Sequence, residues 1–146
     1  MKKIFIATPI SGFDNWHEYE SFRINILTLI EMLRQLNYHV WSEIELVGSN
    51  SEYDTPEQSV KKDIQKIKSS DIFILIHPRK MQTSTLFELG YAFSLSKDII
   101  IVGEERNLPY MAKGLNIDDH FLKIVESDTF DELTLKKIVD EINGRT

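Results

Sequence analysis

The sequence predicts an α/β protein built on a parallel sheet, and three observations carry that expectation. Two apolar runs, residues 72–76 and 99–102, read as strands buried on both faces. Between them, residues 85–96 form a segment apolar on most sides and too long for a strand, so the three make a β-α-β unit. On either side, further β-rich runs alternate with amphipathic helical stretches, and right-handed crossovers then place helices on both faces of the sheet. The expected architecture is a flavodoxin-like/Rossmann-like three-layer sandwich, a five-stranded parallel sheet in the order 2-1-3-4-5. A single domain over residues 1–146 is expected to hold it.

Each element follows from local chemistry. Residues 3–8 are rich in β-formers and end at Pro9. Ser11-Gly12-Phe13-Asp14 is turn chemistry leading into a helix over 16–36, which carries Phe22, Ile26, Leu29, Ile30 and Leu33 at helical spacing. A short second strand is expected at 38–41. Gly48-Ser49-Asn50-Ser51 and Asp54-Thr55-Pro56 then mark a polar loop of the kind that borders sites, before a helix from about Pro56 to 69 with a Val60, Ile64 and Ile67 stripe. Asp71 reads as the turn acid closing the connection to the third strand. Beyond the central unit, 107–116 reads as loop or short helix and 121–125 as the fifth strand. Residues 131–142 are a closing helix with Leu133, Leu135, Ile138 and Ile142.

Composition bounds the function. A 146-residue chain with 42% hydrophobic content supports one core without staples. With no cysteine, a disulfide framework, cysteine-ligated zinc and thiol catalysis are excluded. The basic start Met1-Lys2-Lys3 meets Pro9 too soon for a secretory core, and no apolar run approaches about 18 residues. A cytoplasmic protein with no membrane partner is expected. The net charge is −6 and no Lys/Arg block exceeds two residues, which argues against a nucleic-acid polymer and for a small-molecule ligand.

In such sheets ligands bind beyond the carboxyl ends of the strands where the winding reverses, here between the first and third. This nominates segments 8–16 and 77–85. Glu88, a single carboxylate in the first turns of the apolar helix, has two readings. Thr85-Leu86-Phe87-Glu88 fits a capping box, with Glu88 reaching back to the cap amide. Alternatively, at a crevice the helix dipole would hold Glu88 ionised, ready to attack an electrophilic carbon. Asp63, at the edge of the α-helical apolar stripe, is aimed toward the sheet and is the second candidate. His77-Pro78-Arg79-Lys80 is either a solvated basic loop or, through Arg79 or Lys80, a contact for an anionic group such as phosphate. His17, His39 and His120 lack the pairing of metal ligands, so no metal is expected. Neither a dinucleotide fingerprint, a P-loop nor a G-x-S-x-G elbow occurs, and no cofactor is expected.

The run S-D-I-F-I-L-I, a short polar loop and T-L-F-E-L-G-Y-A-F-S-L-S-K-D-I-I-I-V resemble the nucleoside 2-deoxyribosyltransferase superfamily, which includes nucleoside 5′-monophosphate N-glycosidases. The resemblance covers nearly the whole chain. It implies that Glu88, in E-L-G-Y-A, is the nucleophile, and that Asp63, eight residues before Asp71, supports catalysis. The start I-F-I-A-T-P-I is similar to the family's first strand and substrate loop, which implies substrate contacts at Thr8, Ser11 and Gly12. The segment 111–119 looks like its sugar-binding loop, with Asp118 and Asp119. Before Glu88 this chain keeps Thr85 but has Gln82 and Ser84 where many members have Asp and Gly; all three are expected to face the substrate. Arg79 and Lys80, where the transferases tend to be acidic, favour a phosphorylated ligand. The implied activity is cleavage or transfer of the N-glycosidic bond of a (deoxy)nucleoside or nucleoside 5′-monophosphate by a homo-oligomer. Two competing readings remain: an inactive nucleotide-sensing or protein-binding module of the same fold, and a TIR-like NAD glycohydrolase.

Overall fold

The computed structural model describes residues 1–48, 54–79, 84–117 and 121–145. Its strands are β1 (Lys3–Ala7), β2 (His39–Trp41), β3 (Ile72–His77), β4 (Asp98–Gly103) and β5 (Leu122–Glu126). Its helices are α1 (Trp16–Gln35), α2 (Pro56–Lys68), α3 (Thr85–Ser94) and α4 (Glu132–Asn143). All strands pair in parallel in the order β2-β1-β3-β4-β5, as the sequence predicts. Expected and observed boundaries agree closely. The 3-10 turn Glu43–Glu45 after β2 was not anticipated, and 107–116 resolves into the end of one 3-10 turn, Glu105–Asn107, and a second, Tyr110–Gly114.

Strand alternation divides the core between two helical layers. Ile4, Ile6, Ile72, Ile74, Ile76, Ile100 and Val102 face α1 and α4, where they meet Ile26, Leu29, Ile30, Leu33, Ile138 and Ile142. Their neighbours Phe5, Ala7, Phe73, Leu75, Ile99 and Ile101 face α2 and α3, meeting Ile67, Leu89 and Ala92. Phe5 and Phe73 stack across the β1–β3 boundary with centroids 5.6 Å apart. Every residue of β3 is buried, which is why its sequence lacks polar alternation.

Local caps set the helix starts. Asn15 caps α1 by accepting from the Glu18 amide at 2.8 Å, and Asp131 caps α4 by accepting from Thr134 at 3.0 Å. At the start of α2, Thr55 and Gln58 form a reciprocal capping box with Pro56 in the first turn. Asp71 does more than close a turn. Its amide donates to the Lys3 carbonyl and its Oδ2 accepts from the Lys3 amide, both at 2.8 Å, which registers β3 on β1 and so fixes the crevice at their far ends. Gly103 ends β4 opposite His77, where a Cβ would lie 2.4 Å from the His77 carbonyl oxygen; only glycine admits that approach.

Candidate active site

Where the winding reverses, the carboxyl ends of β1 and β3 open into a cavity of about 150 Å³. Thr8, Pro9, Ile10 and Ser11 line it from the β1 loop and Glu43 from the turn after β2. Asp54 comes from the segment before α2, Ser59 and Asp63 from α2 itself, and Ser84, Thr85 and Glu88 from the start of α3. A second hollow of about 320 Å³ adjoins it, sharing Asp54, Ser59, Asp63, Ser84 and Glu88, with Pro56, Val60, Ile64, Ile67, Phe87 and Tyr91 as its apolar walls.

The capping-box reading of Glu88 does not hold. Helix α3 is capped at Ser84, whose carbonyl accepts the Glu88 amide at 3.2 Å, and no side chain caps the helix. Thr85 is already inside the first turn, so the box lacks the residue it needs. The Glu88 carboxyl instead crosses to α2 and hydrogen-bonds Asp63. Burial first, then the Asp63 charge and that hydrogen bond, push the Glu88 carboxyl up to about 9. Asp63 is also raised, again by burial first, while the bond from Glu88 and the nearby Lys62 oppose the rise. Two carboxyls this close cannot both ionise readily. The shift is larger for Glu88, so of the two carboxyls it is the one that holds its proton more firmly, with Asp63 as its hydrogen-bond partner.

Other charges frame the dyad. Lys62 pairs with Asp54 and stands 4.0 Å from Glu43 Oε2, tying the start of α2 to the turn after β2. Burial raises Glu43, against the pull of Lys62. Trp41 stacks under the Lys66 ammonium, 4.7 Å from the ring centroid, which holds α2 over β2. Thr8 Oγ1, Glu43 Oε2 and Asp63 Oδ1 are buried yet take part in no hydrogen bond among the described residues. An unmade buried hydrogen bond costs about 1–3 kcal/mol. Three in one cavity mark a surface shaped for a polar ligand. Among the described residues no group of His, Asp or Glu is placed to hold a metal ion.

Of the residues singled out in the sequence, the structure gathers Thr8, Ser11, Asp63, Ser84, Thr85 and Glu88 on one cavity. Gly12 and Arg79 stand apart. Gly12 adopts a left-handed φ of 86°, and its carbonyl accepts from Arg79 at 2.6 Å. Arg79 also pairs with Asp14 at 3.2 Å and Glu18 at 3.0 Å, so its guanidinium braces the β1 loop against α1 rather than lining the cavity. Lys80, Gln82, Asp118 and Asp119 lie outside the described residues. His77, at the end of β3, is buried; burial lowers its pKa, and its Nε2 lies 3.2 Å from the Asn107 carbonyl.

The model of the nucleoside 2-deoxyribosyltransferase family matches residues 4–126, from β1 through β5, a span that contains every cavity residue named above. The chain belongs to the nucleoside 2-deoxyribosyltransferase family. Solved structures of similar fold include the Clostridium botulinum CMP N-glycosidase BcmB, 21% identical over 94% of this chain and 99% of that one, with a TM-score of 0.69. BlsM, known from a solution structure, is 20% identical over 97% and 94% of the two chains at a TM-score of 0.70. A 2-deoxyribosyltransferase of Bacillus psychrosaccharolyticus is 22% identical over 91% and 95%, at 0.58. At these identities the likeness is one of fold. No curated protein matches the chain. This member of the deoxyribosyltransferase family thus presents, at the switch point of its sheet, two hydrogen-bonded carboxyls, both raised by burial.

Sequence reading missed Glu43, Asp54 and Ser59 as cavity residues. Asp54 had a visible signal, the polar loop before Pro56. Glu43 had a topological one: in a 2-1-3 order the segment leaving β2 borders the same crevice as those leaving β1 and β3.

Proposed function

We propose that the protein cleaves or transfers the N-glycosidic bond of a nucleoside, with Glu88 as nucleophile and Asp63 as its acid-base partner. The observation that carries this reading is the hydrogen-bonded pair of carboxyls, Glu88 and Asp63, on the switch-point cavity. As the substrate settles against the dyad, the proton passes from Glu88 to Asp63. The freed Glu88 carboxylate attacks C1′ of the sugar. The C1′–N bond breaks, its electron pair leaves with the base, and Asp63 delivers its proton to the departing base. A glycosyl ester on Glu88 results. Water, or the nitrogen of an acceptor base, then attacks C1′ while Asp63 takes the proton of the attacking group, and the ester bond breaks to restore Glu88. Two displacements at C1′ give net retention, as in retaining glycosidases.

Four acidic residues and no Lys or Arg are among the described lining residues, and Arg79 is spent on Asp14 and Glu18. This favours the nucleoside over its 5′-monophosphate, against the expectation from Arg79. The test is release of free base from nucleosides and their 5′-monophosphates by wild type, Glu88→Ala and Glu88→Gln. Release by wild type and its loss in both folded variants is expected. Undiminished turnover by either variant refutes the nucleophile, and a clear preference for the monophosphate refutes the nucleoside assignment. Absence of product from every substrate moves the protein to the ligand-binding reading.

A further inference from the structure

Glu43, Asp54, Asp63 and Glu88 line the cavity, and no lysine or arginine is among its described lining residues. Behind that acidic wall the middle turns of α2 carry three lysines, and they go three ways. Lys61 turns outward to Glu57 at 2.8 Å, with 75% of its side chain exposed. Lys66 lies on the Trp41 ring. Lys62 alone turns toward the cavity: it pairs with Asp54, stands 4.0 Å from Glu43 Oε2 and 6.0 Å from the Trp41 centroid, and its side chain is only 31% exposed. Three segments, the residues before α2, the turn after β2 and β2 itself, thus hold one ammonium in place. The hydrogen bond to Asp54 raises Lys62, so the group keeps its charge.

The ammonium acts unequally on the two carboxyls. Lys62 precedes Asp63 on α2, and its charge opposes the rise that burial imposes on Asp63; the Glu88 hydrogen bond opposes it as well, and Asp54 pushes the other way. Glu88 stands across on α3, where burial, Asp63 and Glu43 raise it and nothing comparable pulls it down. Two raised carboxyls are open to a second proton, and a doubly protonated pair has neither a nucleophile nor a base. A cation beside one member delays that second proton. Without the ammonium, Asp54 would also stand uncompensated near Asp63. Resting on the reading of Glu88 as nucleophile and Asp63 as its acid-base partner, we propose that Lys62 is a positioning residue that keeps the pair from taking a second proton and so sets the acid boundary of turnover. It leaves the first proton, on Glu88, to the reaction.

The test compares the full wild-type chain with Lys62→Met, which keeps the apolar stem without the charge, and Lys62→Arg, which keeps the charge. The first readout is kcat/KM for base release from one nucleoside as a function of pH. Lys62→Met should move the acid limb to higher pH, lowering kcat/KM at least about threefold on that limb and less than about twofold near pH 8, as fits a partly solvated cation. Lys62→Arg should restore the wild-type limb. The second readout needs no turnover: the Asp63 carboxyl, followed by 13C NMR and assigned by its disappearance in Asp63→Asn, should titrate at higher pH in Lys62→Met and as in wild type in Lys62→Arg. A loss of kcat/KM that is equal at every pH, or an Asp63 titration that Lys62→Met leaves unmoved, overturns the proposal and makes Lys62 a strut between α2 and the turn after β2. Should Lys62→Met fail to fold, Lys62→Gln, which can still bond Asp54, replaces it with the same expectations. Base release by Glu88→Gln would instead refute the nucleophile, and the Asp63 titration would still decide whether Lys62 controls the second proton.

Discussion

Replacing Glu88 by Gln should make the protein more stable as the pH rises, although it removes the residue assigned to the chemistry. Glu88 is an ordinary carboxyl near 4.5 in the unfolded chain and is pushed up to about 9 in the folded one. Because the folded-state value is raised, its stabilising contribution is complete below the unfolded value and is lost progressively as the pH climbs to the folded value. Over that window the folded protein holds one proton more than the unfolded chain. The slope can reach about 1.4 kcal/mol per pH unit for one proton. From about pH 6 to pH 8 the ceiling is thus about 2.7 kcal/mol, and water reaching the dyad reduces it to about 1.5–2.5 kcal/mol. Glutamine has no proton to lose and can still donate its amide to Asp63. For a chain of this length 1 kcal/mol moves Tm by about 2–4 °C. Thermal melts of wild type and Glu88→Gln across that pH range should therefore diverge by about 3–10 °C, wild type falling relative to the variant. A difference between the two melts that stays constant from pH 6 to pH 8 would mean that Glu88 carries no trapped proton, and the shared-proton mechanism would fall with it.

The same dyad fixes the pH dependence of turnover, and a separate contact fixes a stability effect. Since the reacting state holds one proton on the pair, kcat/KM against pH should be bell-shaped with its alkaline limb at about 9, where the last proton leaves. Asp63→Asn should lower turnover by about 10²–10⁴-fold and remove that limb; a limb that persists unchanged in the variant would take Asp63 out of the proton path. Gly103→Ala would force a Cβ to within 2.4 Å of the His77 carbonyl oxygen, an atom of a buried strand that cannot step aside. It should cost about 1–3 kcal/mol, read as a lower urea midpoint at unchanged m, and a midpoint equal to that of wild type would show that the β3–β4 pair has room to spare.

The sheet was legible because its signals are local and redundant. The β3 and β4 runs are buried on both faces, so no alternation disguised them, and Pro56 declared the start of α2. The site was legible only in part. Thr8, Ser11, Asp63, Ser84, Thr85 and Glu88 fell to topology and motif together, because the switch-point rule names the loops and the motif names the side chains. The partners of Arg79 were not legible, because a basic residue beside a crevice has no local pattern that says which acids it will meet; Asp14 and Glu18 lie 65 and 61 positions earlier and reach it only through the fold. Glu43 was hidden for the opposite reason. It sits in a three-residue 3-10 turn after a three-residue strand, too short for periodicity to register.

Glu88 shows why the two readings of one short motif could be separated only in three dimensions. A capping box and a catalytic carboxyl ask the same spacing of the chain, but different directions of the side chain. A capping box would turn the carboxyl back on its own helix, where solvent and the dipole keep it ionised. The fold instead sends it across to α2, where burial and Asp63 keep it protonated. That state is costly for a structural residue, since Ala or Gln in the same place would avoid it. It is useful to a nucleophile only if a second group can take the proton when the substrate arrives. Asp63 is that group: it already accepts from Glu88, its own pKa is raised toward the range where it can hold a proton, and its Oδ1 takes part in no hydrogen bond among the described residues. The same transfer frees one carboxylate to attack and arms the other to protonate the leaving base, so the geometry that makes Glu88 an unfavourable structural residue is the geometry that the glycosidic reaction requires.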